Sequence, residues 1–514
     1  MIKNIELNLL PEQCFDENIT LETVKKKTGW DSIQGIRILK KSLDARKKPI
    51  FFRHVIDVYI NENKTPEAFN FDFKTVANAP SVAIIGAGPA GLFAALKLIE
   101  LGVKPIIFER GKNVRERRRD LASITRNNTV NPESNYCFGE GGAGTYSDGK
   151  LYTRSTKRGD VNRILQLLVK HGADSKILYE AHPHIGTNKL PHIITAIRET
   201  ILHFGGEIHF QSKLTDLEIK NNAINAIVIN ENERIEFNRI ILATGHSARD
   251  IYELLYKKNI AIEAKPFALG VRIEHPQKLI DSIQYKCETR GDYLPPASYS
   301  IVNQSMGHGV FSFCMCPGGI IAPAATAPGE VVVNGWSPSK RNNEFANSGL
   351  VVSIHPENYK QFEKYGELAA LRLQQMVEQN CFAATQGLQA PAQRVADFIA
   401  KKYSTSLPEC SYLPGIQSHL LDDVLPKFVA ASLRDALSVF GKKLKGYVTN
   451  EAVMVATESR TSSPVRIPRD KETFAHPQIK GLYPCAEGAG YAGGIVSAAI
   501  DGENCATAAV NFFR

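Results

Sequence analysis

The stretch Ser81–Gly111, SVAIIGAGPAGLFAALKLIELGVKPIIFERG, decides how the rest of the chain is read. Val82–Ile85 and Val103–Phe108 are apolar runs of strand length, and between them Gly86, Gly88 and Gly91 lead into an amphipathic helix. Gly86 permits a tight turn, Gly88 lets backbone approach a pyrophosphate, and Gly91 lets helix and strand pack closely. The helix start at Pro89 and Ala90 offers free N–H groups and a positive dipole end to phosphate. Glu109 stands 18 residues past Gly91, close to the roughly 20 expected of the acid that grips a ribose hydroxyl. Strand, turn, helix, strand and acid in this order predict a dinucleotide site. The acid favours an unphosphorylated ribose, as in FAD or NAD, over NADP.

Outward from this unit, the chain is long for one core: 514 residues predict two or three domains. A composition 43% hydrophobic and 22% charged is that of a soluble globular protein. No apolar run approaches the roughly 20 residues of a membrane span, and the first residues, MIKNIELNLLPEQ, lack the apolar core of a signal peptide. The expectation is a cytoplasmic protein without a membrane partner. Its net charge of +9 is spread over scattered clusters and reads as solubility. Nine irregularly placed cysteines do not suggest a disulfide framework.

Residues 1–75 read as a small N-terminal α+β domain, with strands at Ile2–Leu10, Gly35–Lys40 and Ile50–Ile60 and a helix at Glu17–Lys27. The basic stretch Lys40–Arg53 reads as a hairpin with a solvated turn; an RNA contact is the alternative. Residues 61–80 read as a linker. Residues 80–255 form the first part of the dinucleotide-binding domain. Within them Arg110 and Arg117, the latter in a cluster with Arg115, Arg118 and Arg119, are candidate cofactor contacts, though four arginines on one helix also describe a solvated face. The glycine-rich stretch Cys137–Lys150, CFGEGGAGTYSDGK, invites close backbone approach, with Gly144, Ser147 and Lys150 as candidate contacts and Asp148 as a further polar group. His182, His184 and His192 have no Cys or carboxylate near in sequence to complete a metal set and read as a polar wall. A helix is predicted over Leu190–Gly205, then a strand at Glu207–Phe210, a meander at Leu214–Ile219, Ala223–Ile229 and Arg234–Phe237, and a buried strand in Arg239–Gly245.

Residues 256–444 change character and read as an inserted α+β substrate domain with a mixed or antiparallel sheet. Strands are predicted at Ala268–Ile273, Val310–Met315, Val331–Val333 and Leu350–Ile354, and helices at Tyr359–Gln379, Ala392–Lys402 and Leu425–Phe440. Residues 445–514 return to the first grammar: Gly481–Ala486 is a strand, Glu487, Gly488 and Gly494 lie in a glycine-rich turn, and Ile495–Phe512 is a helix. Its dipole would face an electron-rich ring.

GAGPAG with Glu109, the meander, LATG at 242–245 and the late strand–EG–helix resemble the two-dinucleotide-binding-domain flavoproteins of glutathione-reductase-like FAD topology. The resemblance implies an α/β, Rossmann-like FAD-binding domain. It places Gly86, Gly88, Pro89, Ala90, Gly91 and Glu109 at pyrophosphate and ribose, Ala243, Thr244 and Gly245 by the adenosine half, and Glu487, Gly488, Gly494 and Ile495 by the ribityl chain and ring. That family usually carries Asp where this chain has Glu487. More narrowly, GEGGAGTYSDGKL, FALGVRIEHP, FCMCPGG and TSSPVRI resemble a family of uncharacterised FAD-dependent dehydrogenases with a small N-terminal domain. This implies FAD and an oxidoreductase but names no reaction.

No second glycine fingerprint follows a strand between the two halves, and no CxxxxC lies beside the first helix, which sets the disulfide reductases of this superfamily aside. The remaining reading is hydride or electron transfer between FAD and a small organic substrate, with NAD(P)H or a protein as electron donor. Cys314 and Cys316 on one strand would share a face; they read as packing, with redox exchange the alternative, and Cys485 reads as packing. Ferredoxin spacing is missing, so no iron–sulfur centre is expected. Arg460, Ser462, Ser463 and Arg466 are candidate anion or flavin-edge contacts. A flavin-dependent tRNA modifier is the alternative, carried by the basic hairpin. A non-enzymatic binder, as in the Rab GDP-dissociation inhibitors, is disfavoured by the intact fingerprint.

Overall fold

In the computed structural model, which describes residues 1–64, 69–153 and 159–511, Ser81–Ile85 is the middle strand of a five-stranded parallel sheet. The order is Leu482–Pro484, Ile240–Leu242, Ser81–Ile85, Lys104–Glu109, Glu207–Phe210. A near-continuous apolar run suits a strand covered on both faces, and Val82, Ala83 and Ile84 are fully buried. The helix Pro89–Glu100 covers one face, and the C-terminal helix Ile495–Asn511 packs against it. Gly502 makes that crossing close: a Cβ there would stand 2.1 Å from the Ala90 carbonyl oxygen. Phe512, the expected end of this helix, lies outside the described residues. The meander Leu214–Lys220, Ala223–Ile229, Glu233–Glu236 is a separate three-stranded antiparallel sheet.

A seven-stranded mixed sheet dominates the middle of the chain, ordered Val302–Ser305, His308–Cys316, Phe345–Ile354, Phe267–Pro276, Val453–Glu458, Ala390–Arg394, Ile416–Ser418. Only the last pair is parallel. Two readings need correcting here. The helix expected over Ala392–Lys402 is confined to Val395–Ile399, because Ala390–Arg394 pairs with strands on both sides. The helix expected over Tyr359–Gln379 starts as a 3-10 segment, Pro356–Leu368, broken at Tyr359 and at Gly366, and becomes regular at Ala369–Thr385.

The first 60 residues form an antiparallel sheet, Ile2–Leu9, Phe51–Ile60, Ile33–Asp44 in spatial order, with the helix Glu17–Thr28. Asp16 caps that helix by accepting from the backbone N–H groups of Asn18 and Ile19, and Gly29 ends it in the left-handed region. This module is not independently packed. Leu7, Leu9, Phe52 and Ile56 belong to the same apolar cluster as Leu269, Val271, Val352 and Val455 of the seven-stranded sheet.

Candidate functional site

One cavity of about 640 Å3 runs from the glycine turn of the parallel sheet to the wall of the seven-stranded sheet, a size typical of small-molecule sites. At the turn end the strand Ser81–Ile85 stops at Gly86, whose φ of 107° excludes a side chain and whose Cβ would stand 2.5 Å from the Ala243 carbonyl oxygen. Gly91 is spent on packing: a Cβ there would lie 1.9 Å from the Gly86 carbonyl oxygen. Gly88 is different. A Cβ on it meets nothing nearer than Gly142 Cα at 4.0 Å, so the space it vacates belongs to the cavity. The helix beginning at Pro89 has Gly88 as its N-cap, with no side chain capping it and no acid in its first turn. Its leading N–H groups are open to an anion.

Glu109 is buried and held rigidly: Oε2 accepts from Ala87 N–H at 2.8 Å, and Oε1 from Gly111 and Gly139 N–H at 2.9 Å each. A carboxylate has about four acceptor positions. Three are filled, and the last, on Oε2, remains for a hydroxyl. Arg110 lines the same end, paired with Glu133 and Asp250 and stacked 4.2 Å over the Phe138 ring.

At the far end the cavity is closed by Phe313, Cys314, Cys316, Asn334, Gly335 and Thr461. Lys150 reaches this wall. Burial pulls its ammonium down, but Cys316 and Asp148 outweigh that and hold it above the ordinary lysine range. Asp148 is itself paired to Arg341 at 2.7 Å. Lys150 is positioned by backbone pairing of 149–151 with 183–185, and residues 179–181 are in turn pinned by Lys41, which donates to the Tyr179 carbonyl and accepts from Ala181 N–H. The N-terminal sheet thereby braces the cavity rim. In the same region His184 bonds the Ser339 carbonyl, and burial lowers it to about 4. His182 packs edge-on against Tyr152, which also lines the cavity.

Arg460, also on the wall, is neutralised. With Arg249 it shares the carboxylates of Glu330 and Glu378 at 2.8–3.0 Å. Burial alone would raise Glu378, but the two guanidiniums hold it at about 2. Behind Gly335 and Cys316 sits a second buried pair, Arg272 and Glu458, 2.9 Å apart.

Of the residues expected from sequence, Gly86, Gly88, Pro89, Ala90, Glu109, Arg110, Gly144, Ser147, Lys150, Ala243, Thr244, Gly245, Glu487, Gly494 and Ile495 line this one cavity. Three do not. Gly91 packs as described. Gly488 meets the Gly245 turn, where a Cβ would be 2.8 Å from Gly245 N. Arg117 is fully buried and donates to the carbonyls of Asn135, Tyr136 and Glu140, so it supports the glycine-rich loop from behind. Ser462, Ser463 and Arg466 are also absent from the wall; Ser463 bonds Tyr252, and Arg466 lies 3.8 Å from Glu263. Sequence reading missed His246, Phe313 and Asn334. His246 directly follows LATG, an available signal; the other two carry no local mark. In the basic hairpin Lys41 lies over the Phe15 and Phe52 rings, Arg46 pairs with Asp44, and Arg53 lies 3.9 Å from Glu6. Cys485, Asp501 and Cys505 cluster closely enough for a metal, but Arg469 occupies the Asp501 carboxylate with two hydrogen bonds. No helix among the described residues is long and apolar enough to cross a membrane.

Comparison with known proteins adds three family matches. Residues 266–461 match the FAD-dependent protein C-terminal domain-like family, residues 80–261 the pyridine nucleotide-disulphide oxidoreductase family, and residues 1–59 a domain of unknown function. An uncharacterised protein of Clostridium beijerinckii is 39% identical over 98% of this chain and 96% of its own length. Among solved structures, glycine oxidase from Bacillus cereus aligns at 15% identity over 84% of this chain and 95% of its own, with a TM-score of 0.32. The flavin-dependent brominase Bmp2 aligns at 12% identity over 84% and 78%, with a TM-score of 0.37. Scores this low do not fix a shared topology.

Proposed function

Since this chain belongs to one family with the Clostridium beijerinckii protein, an FAD-dependent family, we propose that it is an FAD-dependent oxidoreductase acting on a small organic substrate. FAD is its cofactor, and the residues present suit it: an uncapped helix start behind Gly88, one free acceptor on Glu109, and a second helix opening at Gly494, where a Cβ would meet nothing within 4 Å. We read Gly88, Pro89 and Ala90 as the pyrophosphate cradle, Glu109 as the ribose acceptor, and Glu487, Gly494 and Ile495 as neighbours of the ribityl chain and ring, in the glutathione-reductase-like arrangement. When bound, FAD supplies the acceptor or donor of an electron pair. The protein's part is to hold it and to shape the substrate space between Lys150, Phe313, Asn334 and Thr461.

The observation carrying this reading is the continuity of one cavity between the glycine turn and the wall of the seven-stranded sheet. Electrons would arrive from NAD(P)H bound transiently at that wall or from a protein donor. The test is direct. Purified protein should be yellow, release FAD on denaturation, and bleach anaerobically on adding its reductant. A colourless protein that FAD does not reconstitute would sink the proposal.

A further inference from the structure

The strand His308–Cys316 is irregular where it meets the cavity. Its register against Phe345–Ile354 slips between Phe313 and Cys316, and Cys314 sits at φ 44°, a left-handed conformation that residues with a Cβ seldom adopt. Bulges of this kind re-aim side chains and gather beside active sites. Simple alternation is therefore not what brings the two cysteines together, yet both line the cavity. Two residues of antiparallel strand span at most about 6.8 Å, the upper end of the Cα separation that a disulfide bridges. Cys316 Sγ already lies 3.2 Å from the Cys314 carbonyl oxygen.

The two sulfurs have different surroundings. Cys314 presents its side chain to the open cavity and is solvent-exposed. Cys316 Sγ is approached by Arg272 Nη2 at 3.5 Å and by Lys150 Nζ at 3.7 Å. Arg272 is fixed in place, donating also to Asn347 Oδ1, Glu458 Oε2 and the Cys314 carbonyl. Packing alone does not call for two cations at a thiol, nor for a non-glycine residue in the left-handed region.

We propose that Cys314 and Cys316 are a dithiol–disulfide pair in redox exchange with the bound FAD, a second two-electron store in the same cavity. In the oxidising direction both S–H bonds break and one S–S bond forms. The two electrons and two protons released are taken up by oxidised FAD; the reverse step reduces the disulfide. Lys150 and Arg272 position the Cys316 sulfur and offset its charge as its proton leaves. The inference rests on the FAD reading above, and its test separates the two.

Anaerobic titration of the air-oxidised holoprotein with dithionite counts the electrons. Wild type should accept two for the flavin and two more for the disulfide, whereas Cys314→Ser and Cys316→Ser should accept only the flavin's two. A readout that needs no variant is peptide mapping of air-oxidised wild type after thiol alkylation under denaturing conditions. The peptide carrying Cys314 and Cys316 should escape the label and be lighter by two hydrogens. Uptake limited to the flavin's two electrons, with both cysteines labelled, overturns the pair while leaving the flavoprotein reading intact. Failure to find flavin at all overturns both the functional reading and the exchange partner.

Discussion

Alanine at Gly88 and alanine at Gly91 add the same methyl group to the same turn, and they should fail in different ways. At Gly88 the backbone, φ −74° and ψ −177°, suits alanine, and the new methyl meets nothing nearer than 4.0 Å. Restricting the unfolded chain at such a site stabilises by about 0.4–1 kcal/mol. On the proposed reading, the methyl nonetheless stands where the pyrophosphate approaches the helix N-terminus. Losing one charge-assisted hydrogen bond there costs about 1.5–3 kcal/mol, which weakens FAD binding roughly 10- to 100-fold. At Gly91 the methyl would lie 1.9 Å from the Gly86 carbonyl oxygen and 3.2 Å from Ile84 Cγ2. A helix-propensity gain of about 1 kcal/mol is outweighed by an overpacking cost of about 1–3 kcal/mol or more, because backbone rather than a side-chain tip must move. Thermal unfolding of the flavin-free proteins and calorimetric titration with FAD separate the cases. Gly88→Ala should unfold near the wild-type temperature, loss of the glycine N-cap offsetting the gain, and bind FAD weakly; Gly91→Ala should unfold early. Unchanged FAD affinity in Gly88→Ala would refute the assignment of that space to the cofactor.

Glu109→Gln should lower stability by about 2–4 kcal/mol, since an amide cannot accept all three N–H groups now bonded to the carboxylate; urea midpoints measure the loss, and FAD binding should weaken with it. Arg460→Met should cost about 3–5 kcal/mol, because Glu330 and Glu378 would be left with Arg249 alone; a variant as stable as wild type in guanidinium would argue against the four-charge network. Acid should destabilise the fold between about pH 6.5 and 4. Burial holds His275 and His54 at about 4 against an ordinary 6.5, so over that window the unfolded chain binds more protons, and stability is full above it and lost on the way down, by at most about 3 kcal/mol per histidine. In His275→Gln, the slope of unfolding free energy against pH should flatten over that window.

The parallel sheet was readable because its strands are short, apolar and punctuated by glycine, each signal local to the chain. The candidate site was readable where it is made of backbone: Gly86, Gly245 and Gly494 sit at positive φ, which disfavours any side chain, and that shows in one dimension. The substrate wall was not. Phe313 reaches the cavity from the seven-stranded sheet, where it pairs with Gly349, and Asn334 from a separate two-stranded ribbon, Ile320–Pro323 with Val333–Trp336, long-range pairings that no local pattern encodes. Arg117 misled for a related reason: an arginine in a polar cluster looks solvated or ligand-facing, whereas this one found three carbonyls in a loop that follows it in sequence. Ala392 lies in a stretch with helical character, and the strands on either side override it.

The close crossing at Gly502 has a consequence for how the protein is made. The turn proposed to receive the pyrophosphate lies near residue 88, but the helix that packs on it and borders the same cavity begins at Ile495, about 400 residues later. At ~5–20 residues per second, a ribosome needs upwards of ~20 seconds to travel that distance. Until then the apolar face awaiting Gly502 is bare, and the cavity lacks the side supplied by Gly494 and Ile495. The nascent chain therefore carries this turn open until Gly494 and Ile495 have been made, and on the proposed reading enclosure of FAD must wait for them.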